Sequence, residues 1–145
     1  MSGTTYTTSP TDTMTFLALG GDDAPDITDE RMAPGDGPPL HKHPWATWEV
    51  VVEGRLLVRI DDVDREVGPG EVFFTPPDSV HTFTVVGDGP ARVIGFHWPG
   101  RFHAMYAEVA QAFAGDGPPD FGALAAAAAR HDAEILGPPL SGMQP

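Results

Sequence analysis

Residues 39–54 read PLHKHPWATWEVVVEG. Two histidines, His41 and His43, stand two apart, and Glu49 follows inside an apolar, β-branched run. Side chains alternate faces along a strand, so His41 and His43 share one face and Lys42 takes the other. Two imidazoles in that arrangement, roughly 6–7 Å apart along the chain, can converge on one ion. Beyond the bend at Pro44 the same alternation groups Thr47, Glu49 and Val51. Such a pair also suits the exposed start of a strand, so the surrounding sequence has to arbitrate.

That surrounding sequence is punctuated β-structure. Apolar runs at 14–19, 48–52, 55–60, 71–75, 81–86 and 91–98 are bounded by turn chemistry such as Gly68-Pro-Gly70, Pro76-Pro-Asp78 and Gly87-Asp-Gly-Pro90. Short strands at this spacing, without intervening helices, predict an antiparallel sandwich or barrel. After Pro99 the pattern changes, and Phe102, Met105, Tyr106, Val109 and Phe113 recur at helical spacing. Asp120 is placed to cap a second, Ala-rich helix over about 121–131. His103 is expected on the solvent face of the first helix. His131 falls at a helix C-terminus, where the dipole favours a cation. The closing GPPLSGMQP reads as an extended tail.

Composition removes several function classes. The 145 residues suit one domain with its own core. The formal charge is −13 and the eight basic residues stand singly, which argues against nucleic acid as a partner. Cysteine is absent, so disulfides, thiolate ligands and cysteine nucleophiles are excluded. No apolar run reaches the ~18 residues of a membrane span. The opening MSGTTYTTSPTDT lacks the basic start and apolar stretch of a signal peptide, leaving the cytoplasm as the expected location by exclusion.

The spacing of two motifs resembles the cupin superfamily. Gly35, five residues, His41-Lys-His43, three residues, Thr47, six residues and Gly54 follow its first motif, with Thr47 in the slot of the family's usual glutamate ligand. Gly70, five residues, Pro76-Pro-Asp78, two residues, His81, three residues and Val85 follow its second, from which Asp78 and Val85 depart. The resemblance covers about 35–99 and implies an all-β jelly-roll sandwich or barrel with C-terminal helices. Strands in 1–34 would pack on a cupin core at 35–99, and 100–145 would supply helices and tail, in one domain. It also implies His41, His43 and His81 as metal ligands.

The fourth ligand is open between His97, Glu49, water and Thr47. Gly87-Asp-Gly-Pro90 predicts a hairpin between 81–86 and 91–98, in which Val85 opposite Val93 sets His81 opposite His97. That register favours His97 and sends Arg92 outward. Imidazole-rich sites suit zinc, copper, iron or nickel. A shell without a carboxylate lacks the 2-His-1-carboxylate set of oxygen-activating iron, so one Zn²⁺ is favoured, with iron, nickel and manganese open.

Trp45, Val51, Leu56, Val58, Phe74 and Phe83 are expected to line a cavity beside the metal, the plain alternative being a packed core. Such a cavity takes a mostly apolar substrate with a few oxygens. Lys42, the one lysine of the chain, faces away and leaves no amine for a Schiff base. What remains is a Lewis acid with a general base, either metal-bound water or Glu49, whose carboxyl an apolar cavity raises. Thr47 and Glu49 are the candidate catalytic residues.

Pro99-Gly-Arg-Phe102 and Leu136-Gly-Pro-Pro-Leu140 resemble the small cupins that include the cyclases of aromatic polyketide pathways. That resemblance implies metal-assisted aldol cyclisation and dehydration of a poly-β-ketone. The alternatives are a quercetinase-like dioxygenase and a non-catalytic small-molecule-binding cupin. The expected partner is an aromatic polyketide intermediate, free or carrier-protein bound, although an acidic carrier would be repelled except at a local patch such as Arg101 or Arg130. Cupins of this kind are commonly dimers, so a homodimer is expected.

Overall fold

The computed structural model describes residues 3–115 and 117–143; the two residues at each end, which fall within the expected N-terminal strands and C-terminal tail, and Asp116 lie outside them. Two antiparallel sheets face one another. The larger runs in the order β1 (Thr4–Ser9), β2 (Asp12–Ala18), β3 (Asp26–Met32), β10 (Ala91–Trp98), β5 (Ala46–Glu53) and β8 (Val72–Thr75). The smaller runs β11 (Glu134–Pro139), β4 (Pro39–Lys42), β9 (His81–Val86), β6 (Arg55–Ile60) and β7 (Val63–Val67). The expected all-β sandwich is present, and residues before Gly35 supply three strands of the larger sheet.

One end of the sandwich is dry. Met32, Val51, Leu56, Val58, Val67, Phe73, Phe83, Val85, Ala91 and Val93 form a continuous buried cluster between the sheets. Between them along the strands stand polar residues such as Arg55 and Arg92 and apolar ones such as Val50, Val72 and Ile94, while β9 is buried on both faces; each fully buried large side chain contributes about 1.5–3 kcal/mol. Val51, Leu56 and Val58, expected beside the metal, belong to this core and do not line the cavity. Phe74 is corrected more sharply. It faces outward against Trp48, while its neighbours Phe73 and Thr75 point in. The expected cavity wall was one residue out of phase on β8.

Helices α1 (Phe102–Val109) and α2 (Phe121–Ala129) cover the other end, packing Met105, Val109, Leu124, Ala127 and Ala128 around buried Trp45. Asp120 caps α2 as expected, its Oδ1 accepting from the Ala123 amide at 3.0 Å. The tail is not extended coil throughout. Residues 134–139 add β11 to the edge of the smaller sheet, with Ile135 paired to His41, and α3 (Leu140–Met143) follows. His103 is also corrected: its Nε2 meets Tyr6 Oη at 2.9 Å and its ring packs edge-on to Phe16, so it is half-buried. His131 pairs with Glu108 across the helices.

The expected hairpin does not form. β9 pairs with β4 and β6, whereas β10 pairs with β3 and β5 in the other sheet. Gly87–Pro90 therefore carries the chain across the sandwich. His81 is opposite His41 and Ile60, and His97 is opposite Asp26 and Thr47. Gly- and Pro-rich turn chemistry marks a reversal of direction, and that is equally true of a hairpin and of a crossing between sheets. Asp78 explains one departure from the motif. It holds φ +63°, the left-handed conformation that favours glycine and that aspartate tolerates best among side-chain-bearing residues with asparagine.

Candidate metal centre

Three histidines come together on the smaller sheet. His41 lies on β4, His43 one residue past its end, and His81 opens β9 directly opposite His41. Their ring centroids are 4.2 Å apart for His41–His81, 4.7 Å for His43–His81 and 5.4 Å for His41–His43. One ligand nitrogen from each lies within 4.8 Å of the others.

The backbone sets the tautomer of all three. Nδ1 of His41 donates to Pro39 O at 2.7 Å, Nδ1 of His43 to Trp45 O at 2.9 Å, and Nδ1 of His81 to Ser79 O at 2.8 Å. A carbonyl only accepts, so each Nδ1 carries the proton and each Nε2 keeps its lone pair. Burial pushes all three imidazoles below their ordinary range, His43 to about 3, and repulsion from the neighbouring rings adds to this at His41 and His43. Trp45 stacks on His43 at 4.5 Å and 7°, which holds the ring while keeping Trp45 itself behind the site. Three neutral imidazoles, oriented by backbone carbonyls, fit a divalent ion with an open coordination position.

Facing them is a wall from the larger sheet. Across its inner face, Phe16, Thr28, Gly95, Glu49 and Phe73 form one row, with Asp26, His97, Thr47 and Thr75 in the next. Gly95 is the gap in the first row. A Cβ there would stand 2.7 Å from Thr28 Oγ1, 2.8 Å from His97 Nε2 and 3.4 Å from Glu49 Oε2, so the missing side chain is what lets these three groups converge. His97 Nε2 meets Thr28 Oγ1 at 2.9 Å, its ring stacks on Phe102 at 4.2 Å, and its buried Nδ1 has no partner. Burial drives His97 to about 3. It lies outside the three-histidine cluster.

A cavity of about 340 Å³ separates the two walls, lined by all four histidines, Thr47, Glu49, Phe73, Phe83 and the inner faces of α1 and α2. Burial alone raises the Glu49 carboxyl to about 7; what surface it retains faces this cavity. No Lys or Arg is among the lining residues, and Lys42 sits outside, 3.6 Å from Glu134. Asp12 and Glu30 also line the cavity, and neither is among the residues expected there. The signal was there in period-2 alternation: Asp12, Met14 and Phe16 share a face, as do Thr28, Glu30 and Met32.

Residues 28–97 match the family described as Cupin domain. The chain is similar to an uncharacterised protein of Methanocaldococcus jannaschii, 30% identical over 66 residues that cover 44% of this chain; the match spans about half, 52%, of that relative. Among solved structures, an RmlC-like cupin from Shewanella frigidimarina superposes with a TM-score of 0.57 at 20% identity, covering 66% of this chain and 83% of the other. KdgF from Halomonas sp. gives 0.57 at 17%, covering 65% and 84%. The polyketide cyclase RemF from Streptomyces resistomycificus gives 0.55 at 24%, covering 66% and 72%. At these identities the likeness is one of fold. With its two facing sheets and spaced histidine motifs, the chain carries a cupin domain over residues 28–97.

Proposed function

We propose that this cupin is a metal-dependent cyclase that closes a ring in a poly-β-ketone by intramolecular aldol condensation and dehydration. One observation carries the proposal: three imidazole Nε2 atoms face, across an apolar cavity, a carboxyl whose pKa is about 7. A general base works best with a pKa near the operating pH, and Glu49 meets that condition.

Bound at His41, His43 and His81, a divalent ion supplies Lewis acidity that polarises a substrate carbonyl. Glu49 removes a proton from a carbon between two carbonyls. That carbon attacks a carbonyl further along the same chain, and Glu49 returns its proton to the new alkoxide. The new C–C bond closes the ring, and loss of that hydroxyl with a hydrogen from the adjacent carbon as water leaves a C=C bond within it. Phe73, Phe83 and Phe102 exclude bulk water and favour a folded, compact conformer of the chain.

His97 faces the three-histidine set from the other wall in this scheme and is not one of its three ligands. It stands opposite Thr47 in the β5–β10 ladder, beside the slot where the family's carboxylate is replaced, and its Nδ1 is unpartnered. Imidazole donors suit zinc, copper, iron and nickel, and zinc is the metal proposed here because the three-histidine set carries no carboxylate of the kind found in oxygen-activating iron sites. The test supplies a poly-β-ketone from its synthase to the zinc-loaded chain and follows ring products by mass spectrometry. Unchanged products, or products that survive His41→Ala and His81→Ala, overturn the proposal. Oxygen consumption on a flavonol would instead support a dioxygenase.

A further inference from the structure

The outward faces of the two sheets meet solvent in different ways. An antiparallel sheet with one face in water usually alternates polar-out. The smaller sheet does so, with Arg55 paired to Glu66 and Arg59 to Asp64 on its outer side. On the larger sheet, Ile27, Phe96, Trp48 and Phe74 stand side by side across β3, β10, β5 and β8, and Asp29, Ile94, Val50 and Val72 form the next outward row. Trp98 and Pro25 extend this patch, and with Trp48, Val50 and Phe96 they line a shallow groove. Trp48, Val72, Phe74 and Trp98 each keep 40–44% of their surface exposed. Asp29, the one charged group in the two rows, is neutralised by Arg92 at 2.9 Å and Arg31 at 3.6 Å.

We propose that this face binds a second copy of the chain, the two larger sheets stacking back to back about a two-fold axis. The homodimer expected from the sequence thereby acquires a surface, and the inference does not rest on the cyclase reading. Size and charge both point to a second copy. Aromatic side chains carry about 150–250 Å² each, so the two rows with Trp98 present roughly 500 Å² of apolar surface, the greater part of the ~800 Å² per partner of a standard interface. A two-fold axis lays a patch on itself, so an unpaired charge would meet its own sign. Here the single carboxylate is already paired, and the rest of the patch is apolar. An acidic partner would need a basic patch and a basic partner an acidic one; these rows offer neither. The same strands carry the cavity wall on their inner side. Trp48 lies between Thr47 and Glu49, Phe96 between Gly95 and His97, and Phe74 between Phe73 and Thr75. The second copy therefore braces the reverse of the wall that holds Glu49 and His97, while groove and cavity share no residue.

The test is sedimentation equilibrium of the full chain over a range of concentrations, where a dimer is expected. Each copy carries a formal charge of −13, so screening should tighten the dimer several-fold between about 0.02 and 0.5 M NaCl. Trp48→Lys combined with Trp98→Lys is expected to weaken it by about a hundredfold or more, the loss of two aromatic anchors. These substitutions lower the net charge, so long-range repulsion cannot account for the dissociation. Val63→Lys, at an exposed apolar position on the other sheet, is expected to leave the dimer unchanged. Should the double variant fail to fold, the unaltered chain reports by fluorescence. Trp45 is buried, so Trp48 and Trp98 supply the response, and dilution should shift emission to the red and increase quenching by acrylamide. A chain that is monomeric at every concentration, a dimer that survives the double substitution, or a dissociation that leaves tryptophan emission unmoved overturns the inference. A monomer that floats with phosphatidylcholine vesicles assigns the face to lipid and overturns it as well.

Discussion

The two walls of the cavity solve the same physical problem with opposite groups. On the smaller sheet, burial lowers the pKa of His41, His43 and His81, so the imidazoles stay neutral with Nε2 open. On the larger sheet, burial raises the Glu49 carboxyl to about 7 and pushes Glu30 and Asp12 upward as well. In both cases the low-dielectric interior disfavours the charged form. The difference lies in what neutrality makes available. A neutral imidazole is a ligand, and a half-titrated carboxyl is a proton carrier. An electrophile and a base can therefore share one cavity without neutralising each other.

The largest expected effect breaks the imidazole wall. His81→Ala or His41→Ala should weaken metal binding by more than about a hundredfold, exceeding the loss typical of a supporting residue, as read by elemental analysis after dialysis. Breaking the carboxyl wall should instead spare the metal. Glu49→Gln is expected to keep one ion per chain while turnover falls about 10²–10⁴-fold, the usual worth of a general base. If Glu49→Gln loses the ion as well, the carboxyl is a ligand and the two walls are not functionally distinct.

Gly95→Ala tests how the walls are spaced. The new methyl would meet Thr28 Oγ1 and His97 Nε2 well inside contact distance, so overpacking should cost about 1–3 kcal/mol in denaturant unfolding. Acid titration of the metal-free chain sharpens the contrast further. His43 and His97, with folded values of about 3, leave the unfolded state binding more protons below about 6.5, so they reduce stability as pH falls. Glu49 acts with the opposite sign. Its folded value of about 7 exceeds the ordinary 4.5, so stability rises as pH falls through that window. Glu49→Gln should therefore steepen the acid loss by up to about 1.4 kcal/mol per pH unit between about 4.5 and 7, measured by urea unfolding at stepped pH. The smallest effect is expected outside both walls: Lys42→Ala should leave metal content unchanged and shift stability by no more than about 0.5 kcal/mol.

Much of the molecule was legible in the chain. Strands β6, β9 and β10 fall where their apolar alternation and flanking turns put them, and the α2 cap is the residue expected. The histidine cluster followed from motif spacing, because a two-residue step on a strand puts both rings on one face whatever the rest of the fold does. The strands that were missed are instructive. β3, DITDERM, carries four charged residues and looks like a loop, yet Thr28, Glu30 and Met32 point inward and two of these three are polar. A strand that lines a polar-edged cavity does not show the apolar stripe that marks a core strand. β7 lies at a sheet edge with its charges in solvent, which hides it for a different reason.

Local residue order was sufficient for strands such as β6, β9 and β10, for the α2 cap and for the shared face of His41 and His43, since these depend on alternation and on contacts within a few residues. It could not say which sheet a strand joins. His97 was expected opposite His81 through a hairpin, and it stands instead in the facing sheet beside Thr47. That choice is made by long-range pairing, where a turn between sheets and a turn within one carry the same glycine and proline signature. The Asp12–Glu30 pair belongs to the same category. Each residue is an unremarked acid in sequence, and only the pairing of β2 with β3 buries the two together.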